Sequence, residues 1–145
     1  MNEIQKKPIY SKLAEIYDHI MSDVDYAYWA EYIDDLLHQH HPEPTAITEL
    51  SCGTASLTLE LSKLGDYDLQ ACDASPDMVL VGSKKLDTLA QPIPCFEASF
   101  DNLLAIREQD ALISVFDSVN YLLQPGEIEH FFHEAAKCLT VNGLL

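Results

Sequence analysis

From Thr45 onward the chain alternates short apolar runs with longer amphipathic ones, and this alternation limits the fold more than any other feature. Ala46–Leu50, Tyr67–Cys72, Pro94–Ala98 and Ala111–Phe116 read as short buried strands. Between them, Ser56–Leu64 sets Leu57, Leu61 and Leu64 on one helical face, with Gly65 suited to the helix end. Pro76–Ala90 aligns Met78, Gly82, Leu86 and Leu89. Pro125–Leu139 turns Ile128, Phe132, Ala135 and Leu139 inward, with Pro125 in its first turn. "VNGLL" then reads as a turn leading into another strand. Strands that alternate with helices imply an α/β fold, a parallel sheet covered by helices on both faces. Right-handed crossovers restrict the topology, and ligands in such sheets bind beyond the carboxyl ends of the strands. The ends that matter are therefore Glu49–Gly53, Asp73, Ala98–Phe100 and Phe116–Tyr121.

Before this region, Leu13, Ile16, Tyr17 and Ile20 recur at helical spacing, as do Tyr26, Trp29, Ala30, Ile33 and Leu37. "SDVD" offers capping residues between them, and the prolines of "HHPEPT" end the second helix. The aromatic stripe of Tyr26, Tyr28 and Trp29 reads either as an acceptor pocket or as packing between helices. At 145 residues and 48% apolar content, the chain suits one domain with a real core. Its formal charge of −16 repels nucleic acid phosphates and anionic lipid, so neither is an expected partner. No apolar run approaches a membrane span, and "MNEIQKKPIY" lacks the apolar stretch of a signal peptide. Cys52, Cys72, Cys95 and Cys138 form no C-x-x-C pair and read as small apolar residues in a reducing compartment, so a cytoplasmic protein is expected. His38, His40 and His41 end a helical segment, and no metal site is expected there.

Two features carry chemistry. In "ITELSCGTASLTLEL", Gly53 sits at a strand-to-helix junction, where bare backbone can approach a ligand and helix amides offer donors. Asp73 closes the second strand, where a carboxylate can accept hydrogen bonds from both ribose hydroxyls. Asp73 could instead cap the next helix, but Ser75 before Pro76 serves equally well.

At these positions the chain resembles a family. "ELSCGTASL", "ACDASPDMV", "FEASFDNLL", "ALISVFDSVNYLL" and "EAAKCLTVNGLL" fall in the order and spacing of class I S-adenosylmethionine-dependent methyltransferases, nearest their small-molecule branch. The resemblance implies a Rossmann-like core over residues 45–145, preceded by an N-terminal helical lid over residues 1–44. It implies S-adenosylmethionine as cofactor and methyl transfer to a small-molecule acceptor. Glu49 matches the acid that orients the methionine amino group, Ser51, Gly53 and Ala55 the glycine loop, and Asp73 the ribose-binding acid. Ala74 and Met78 match residues lining the adenine, and Ser99 and Phe100 the loop where an acid usually reads the adenine amino group. Phe116 stands beside the transferred methyl, Asp117, Asn120 and Tyr121 on the acceptor rim, and Tyr17 matches a lid aromatic. No individual catalytic residue is assigned.

The chain also departs from the family. Ser51 and Ala55 replace glycines, and Ser99 lacks the expected carboxylate. The chain stops where the family's fifth strand begins, so it reads as truncated, with the C-terminal strands missing. That would leave "ALISVF" as an open sheet edge and invite self-association. A non-catalytic S-adenosylmethionine-binding regulatory domain and a nucleotide-binding oxidoreductase domain are the alternative readings.

Overall fold

The computed structural model describes residues 13–145. A 3-10 turn at Ala14–Ile16 leads into a one-turn helix α1 (Tyr17–Ile20), followed by α2 (Tyr26–His40). Asp25 caps α2 by accepting the Tyr28 amide at 3.0 Å. The alternating region then forms β1 (Ala46–Glu49), α3 (Ser56–Leu61), β2 (Asp68–Asp73), α4 (Pro76–Leu86), β3 (Cys95–Glu97), β4 (Gln109–Ile113), α5 (Glu127–Cys138) and β5 (Leu139–Leu144). The five strands make one parallel sheet in the order β3-β2-β1-β4-β5.

Strand alternation sorts the core into two layers. Ile47, Leu69, Ala111 and Ile113 meet Ala30, Ile33 and Leu37 of α2 and Leu57 and Leu61 of α3. On the other face Leu112 and Cys72 meet Phe131, Ala135 and Cys138 of α5. Each such buried Leu, Ile or Phe contributes about 1.5–3 kcal/mol. Gly82 lets α4 come close to the β1–α3 turn, because a Cβ there would lie 3.1 Å from Cys95 Sγ and 3.4 Å from Ala55 Cβ.

The α/β reading and the parallel sheet hold, with three corrections. β5 begins at Leu139, directly after α5, instead of at Leu144. It pairs with β4 at Gln109↔Leu139 and Ala111↔Leu144, with a register shift between. Consequently β4 is an interior strand flanked by β1 and β5, and "ALISVF" is not an open edge. Second, the buried face of α5 is Phe131, Ala135 and Cys138, while Ile128 and Phe132 are exposed. The ring of Phe131, centred 4.5 Å from that of Phe100, decides this face. The same helix starts at Glu127 behind an N-cap at Gly126, so Pro125 precedes it. Third, α3 ends at Leu61 and Leu64 is exposed.

Candidate functional site

The carboxyl ends of β1, β2 and β4 open into a cavity of about 970 Å³. Its floor is the turn from Glu49 to Ala55. The Leu50 amide donates to the Ile113 carbonyl at 2.7 Å and the Cys52 amide to the Cys72 carbonyl at 2.9 Å, tying the turn to both neighbouring strands. Three of its residues have left-handed backbone: Ser51 (φ 50°), Gly53 (φ 55°) and Ala55 (φ 60°). Only one of the three is glycine, so the turn keeps the geometry of a glycine loop at a cost of about 1–2 kcal/mol for each side chain. The Ser51 hydroxyl donates to the Leu50 carbonyl at 2.6 Å and lies 3.3 Å from the Ser114 hydroxyl.

Asp73 is built into this floor. Its carboxylate accepts the Gly53 amide at 2.8 Å and the Ser75 amide at 2.9 Å. Ser75 is the α4 cap, accepting the Met78 amide at 3.4 Å. Asp73 is therefore not the helix cap, but it is not free either: it fixes the glycine turn against β2 while lining the cavity.

Glu49 lines the cavity from below with only 3% of its surface exposed. Burial pushes its carboxyl up to about 8, outweighing the hydrogen bond it accepts from the Thr58 hydroxyl. Tyr17 stands over the turn, its Cε1 3.5 Å from where a Gly53 Cβ would lie. Burial, then the charge of Asp73, raises its phenol. Tyr26 is raised to about 12, chiefly by burial.

All ten cofactor-binding candidates line this one cavity: Tyr17, Glu49, Ser51, Gly53, Asp73, Ala74, Met78, Ser99, Phe100 and Phe116. Of the three rim candidates only Tyr121 does. Asp117 and Asn120 are joined to each other, the Asn120 amide donating to the Asp117 carbonyl at 2.9 Å, and stay off the wall. Several lining residues escape a sequence reading, among them Asp101, Ser118, Leu122, Glu127 and His130. Asp101 is the informative one. A tight turn, closed by the Asn102 amide on the Ser99 carbonyl at 2.9 Å, brings its carboxylate back to accept the Ser99 hydroxyl. The acid absent at Ser99 thus stands on the same wall two residues later. Its presence in "ASFDNLL" was the available signal.

All four cysteines are free. Among the described residues no group of three or more His, Cys, Asp or Glu could hold a metal, and no helix is long and apolar enough to cross a membrane.

Comparison with known proteins identifies the arrangement. The sequence profile of the methyltransferase domain matches residues 47–143. YqeM of Bacillus subtilis (strain 168), described as a methyltransferase, is 28% identical over 138 residues, covering 94% of this chain and 53% of that protein. The chain spans about half the length of the curated relatives it matches. Among solved structures, an S-adenosylmethionine-dependent methyltransferase from Clostridium acetobutylicum is 26% identical with a TM-score of 0.78, covering 94% of this chain and 55% of that one. The sugar N-methyltransferase KedS8 from Streptoalloteichus has a TM-score of 0.79 at 20% identity, over 99% of this chain and 56% of its own.

Proposed function

This chain belongs to the class I S-adenosylmethionine-dependent methyltransferase family, and from that premise we propose that its cavity holds S-adenosylmethionine and delivers the methyl group to a small-molecule acceptor. The observation that carries the reading is the Asp73 carboxylate. It closes β2, bridges the Gly53 and Ser75 amides, and faces a cavity large enough for a nucleoside with an amino-acid tail.

The residues present fit such a ligand. Gly53 leaves room for close backbone approach. Asp73 accepts the ribose hydroxyls. Ala74, Met78 and Phe100 form apolar walls for the adenine, and the Ser99–Asp101 pair places a carboxylate where the adenine amino group needs an acceptor. Glu49, Ser51 and Tyr17 surround the methionine end, with the short helix α1 and α2 acting as the lid; residues 1–12 of the expected lid lie outside the described residues. Phe116 stands beside the reacting carbon.

When bound, S-adenosylmethionine supplies a sulfonium methyl open to in-line displacement. What the chain contributes is positioning: it holds the acceptor in line and excludes water, the dominant source of rate for such a step. A cytoplasmic setting is part of the proposal, supported by four free cysteines. The likeness to a sugar N-methyltransferase supports a small-molecule acceptor.

The test is calorimetry of the full chain with S-adenosylhomocysteine and with NAD, followed by methyl-transfer assays against small acceptors. Tight binding of S-adenosylhomocysteine alone is expected. Binding of NAD alone would overturn the reading, and cofactor binding without turnover on any acceptor would favour a regulatory domain.

A further inference from the structure

The hydroxyls at the start of α3 serve two different partners. Those of Thr54 and Ser56 turn to Asp18 on α1. The Thr58 hydroxyl turns the other way and donates to Oε2 of Glu49 at the end of β1. A threonine on a helix commonly bonds the carbonyl one turn back. Thr58 instead spans from helix to strand. It is 1% exposed and does not line the cavity, whereas Glu49 does. Thr58 can therefore act on a ligand only through Glu49.

Packing sets the position of Thr58. Its α3 neighbours Leu57 and Leu61 are buried in the same cluster as Ile47 of β1, so helix and strand are locked together. The β-branched side chain of Thr58 is stiff about its first torsion. Glu49 has a longer side chain with more freedom. A fixed donor on its carboxyl holds that group in one orientation beside the cavity, which is the preorganisation a binding site needs.

The same bond favours charge. Burial raises the Glu49 carboxyl to about 8, and the nearby Cys95 and Asp73 add to the rise. The Thr58 hydroxyl and amide pull the other way. Hydrogen bonds to a carboxylate stabilise its ionised form. Thr58 thus readies Glu49 to ionise when a cation arrives from the cavity. A ligand that carries an ammonium gains from this, and a neutral nucleoside does not.

Resting on the methyltransferase reading, we propose that Thr58 is a positioning residue for the amino-acid end of S-adenosylmethionine. Its hydroxyl fixes the Glu49 carboxyl against the ammonium of the ligand. Through that contact the cavity distinguishes the full cofactor from the same nucleoside without its tail.

The experiment is calorimetry of the full chain with two probes, S-adenosylhomocysteine and methylthioadenosine, which keeps the nucleoside and sulfur but lacks the amino acid. Thr58→Val keeps the shape of the side chain and removes the donor. It should weaken S-adenosylhomocysteine about tenfold, the effect of one hydrogen bond to a charged group, and leave methylthioadenosine nearly unchanged. Thr58→Ser should restore most of the lost affinity. Glu49→Gln should also narrow the gap between the probes, and Thr58→Val added to it should narrow it no further. Should Thr58→Val unfold, Thr58→Ala, with a strong helix former at the position, carries the same expectation. Equal weakening of both probes, or native affinity for S-adenosylhomocysteine in the folded variant, would overturn the proposal while leaving the methyltransferase reading intact. Failure of S-adenosylhomocysteine to bind the native chain would overturn both.

Discussion

Lys85 on α4 places its Nζ 2.8 Å from the carboxylate of Asp18 on α1. The same ammonium reaches the Ser56 hydroxyl at 2.7 Å and the Thr54 hydroxyl at 3.3 Å. Asp18 in turn accepts hydrogen bonds from Thr54 and, at 3.3 Å, from Ser56. One cation therefore joins α1, the start of α3 and α4. Tyr17, the residue over the Gly53 turn, is next to the joined carboxylate in the chain.

This network should act on ligand retention more than on folding. The pair is partly exposed, with Asp18 at 49% of its side-chain surface, so its own contribution to stability is about 0–1 kcal/mol. Lys85→Met should weaken S-adenosylhomocysteine binding about threefold to tenfold, mostly through faster dissociation, with little change in melting temperature. The exchange Asp18→Lys with Lys85→Asp should recover part of the loss. Stopped-flow dissociation rates check this; unchanged rates would show that α1 is held by other contacts. Burial pushes the Asp18 carboxyl up, but Lys85, Thr54 and Ser56 more than offset it and the net shift is downward. The contribution is therefore present above the ordinary Asp value and lost as pH falls through the lowered one.

Asp73→Ala should remove most cofactor affinity. Two hydrogen bonds to a ribose, charge-assisted on the carboxylate side, are worth about 2–4 kcal/mol together, a loss of about thirtyfold or more. The substitution also strips the Gly53 and Ser75 amides of their acceptor, so melting temperature should fall as well. Calorimetry beside thermal melting separates the two effects. A folded variant with native affinity would reduce Asp73 to a loop anchor.

Glu49 should make the empty protein sensitive to mild alkali. Its carboxyl is raised from 4.5 to about 8 by burial, so the folded state holds a proton that the unfolded state has released across that interval. Stability from this group is present below the ordinary Glu value and is lost as pH rises toward 8. Glu49→Gln should flatten the dependence of melting temperature on pH. A cationic amino group bound beside Glu49 should draw the proton off. Heats of S-adenosylmethionine binding at pH 7 should then differ between buffers of different ionisation enthalpy, and Glu49→Gln should abolish the difference.

The two non-glycine residues of the turn should respond differently to glycine. Ser51→Gly relieves left-handed strain of about 1 kcal/mol but gives up the 2.6 Å bond to the neighbouring Leu50 carbonyl within the turn and the 3.3 Å contact with the Ser114 hydroxyl. A small rise in melting temperature is expected. Ala55→Gly relieves the same strain but removes a fully buried methyl that fills the space beside Gly82, worth about 0.8 kcal/mol. Near-neutral stability is expected there. Thermal denaturation of both variants decides, and a large loss in Ser51→Gly would mean that its hydroxyl holds the turn together.

The sheet and most of the cavity were legible because short apolar runs and Gly and Asp at strand ends carry position directly. What escaped depends on contacts between distant segments. "EIEHFFHEAAKC" offers two adjacent phenylalanines, and helical period does not choose between them; Phe100 selects Phe131. β4 starts earlier than its apolar run because Gln109, only 4% exposed, accepts the Thr48 hydroxyl at 2.8 Å within the sheet. The same strand ends early because Phe116 and Asp117 turn left-handed. Asp101 was hidden because its reach depends on the Ser99–Asn102 turn and not on its place in a motif.

At the amino end of the sheet, Asp110 accepts the Thr45 amide at 2.9 Å, the Ala46 amide at 3.1 Å and the Thr140 hydroxyl at 3.2 Å. One carboxylate thus stitches the leading ends of three neighbouring strands on the side away from the cavity. Ser51, Ala55, Phe116 and Asp117, with their unfavourable backbone, all lie on the opposite side. Left-handed backbone also occurs at Glu108, directly before β4, and at Asn142 within β5, so it is the cluster around the cavity, and not every such residue, that stands apart from the Asp110 anchor. The cavity side is free to diverge toward new ligands without loosening the frame, whereas a change at Asp110 would be felt by every strand it stitches and by no ligand at all.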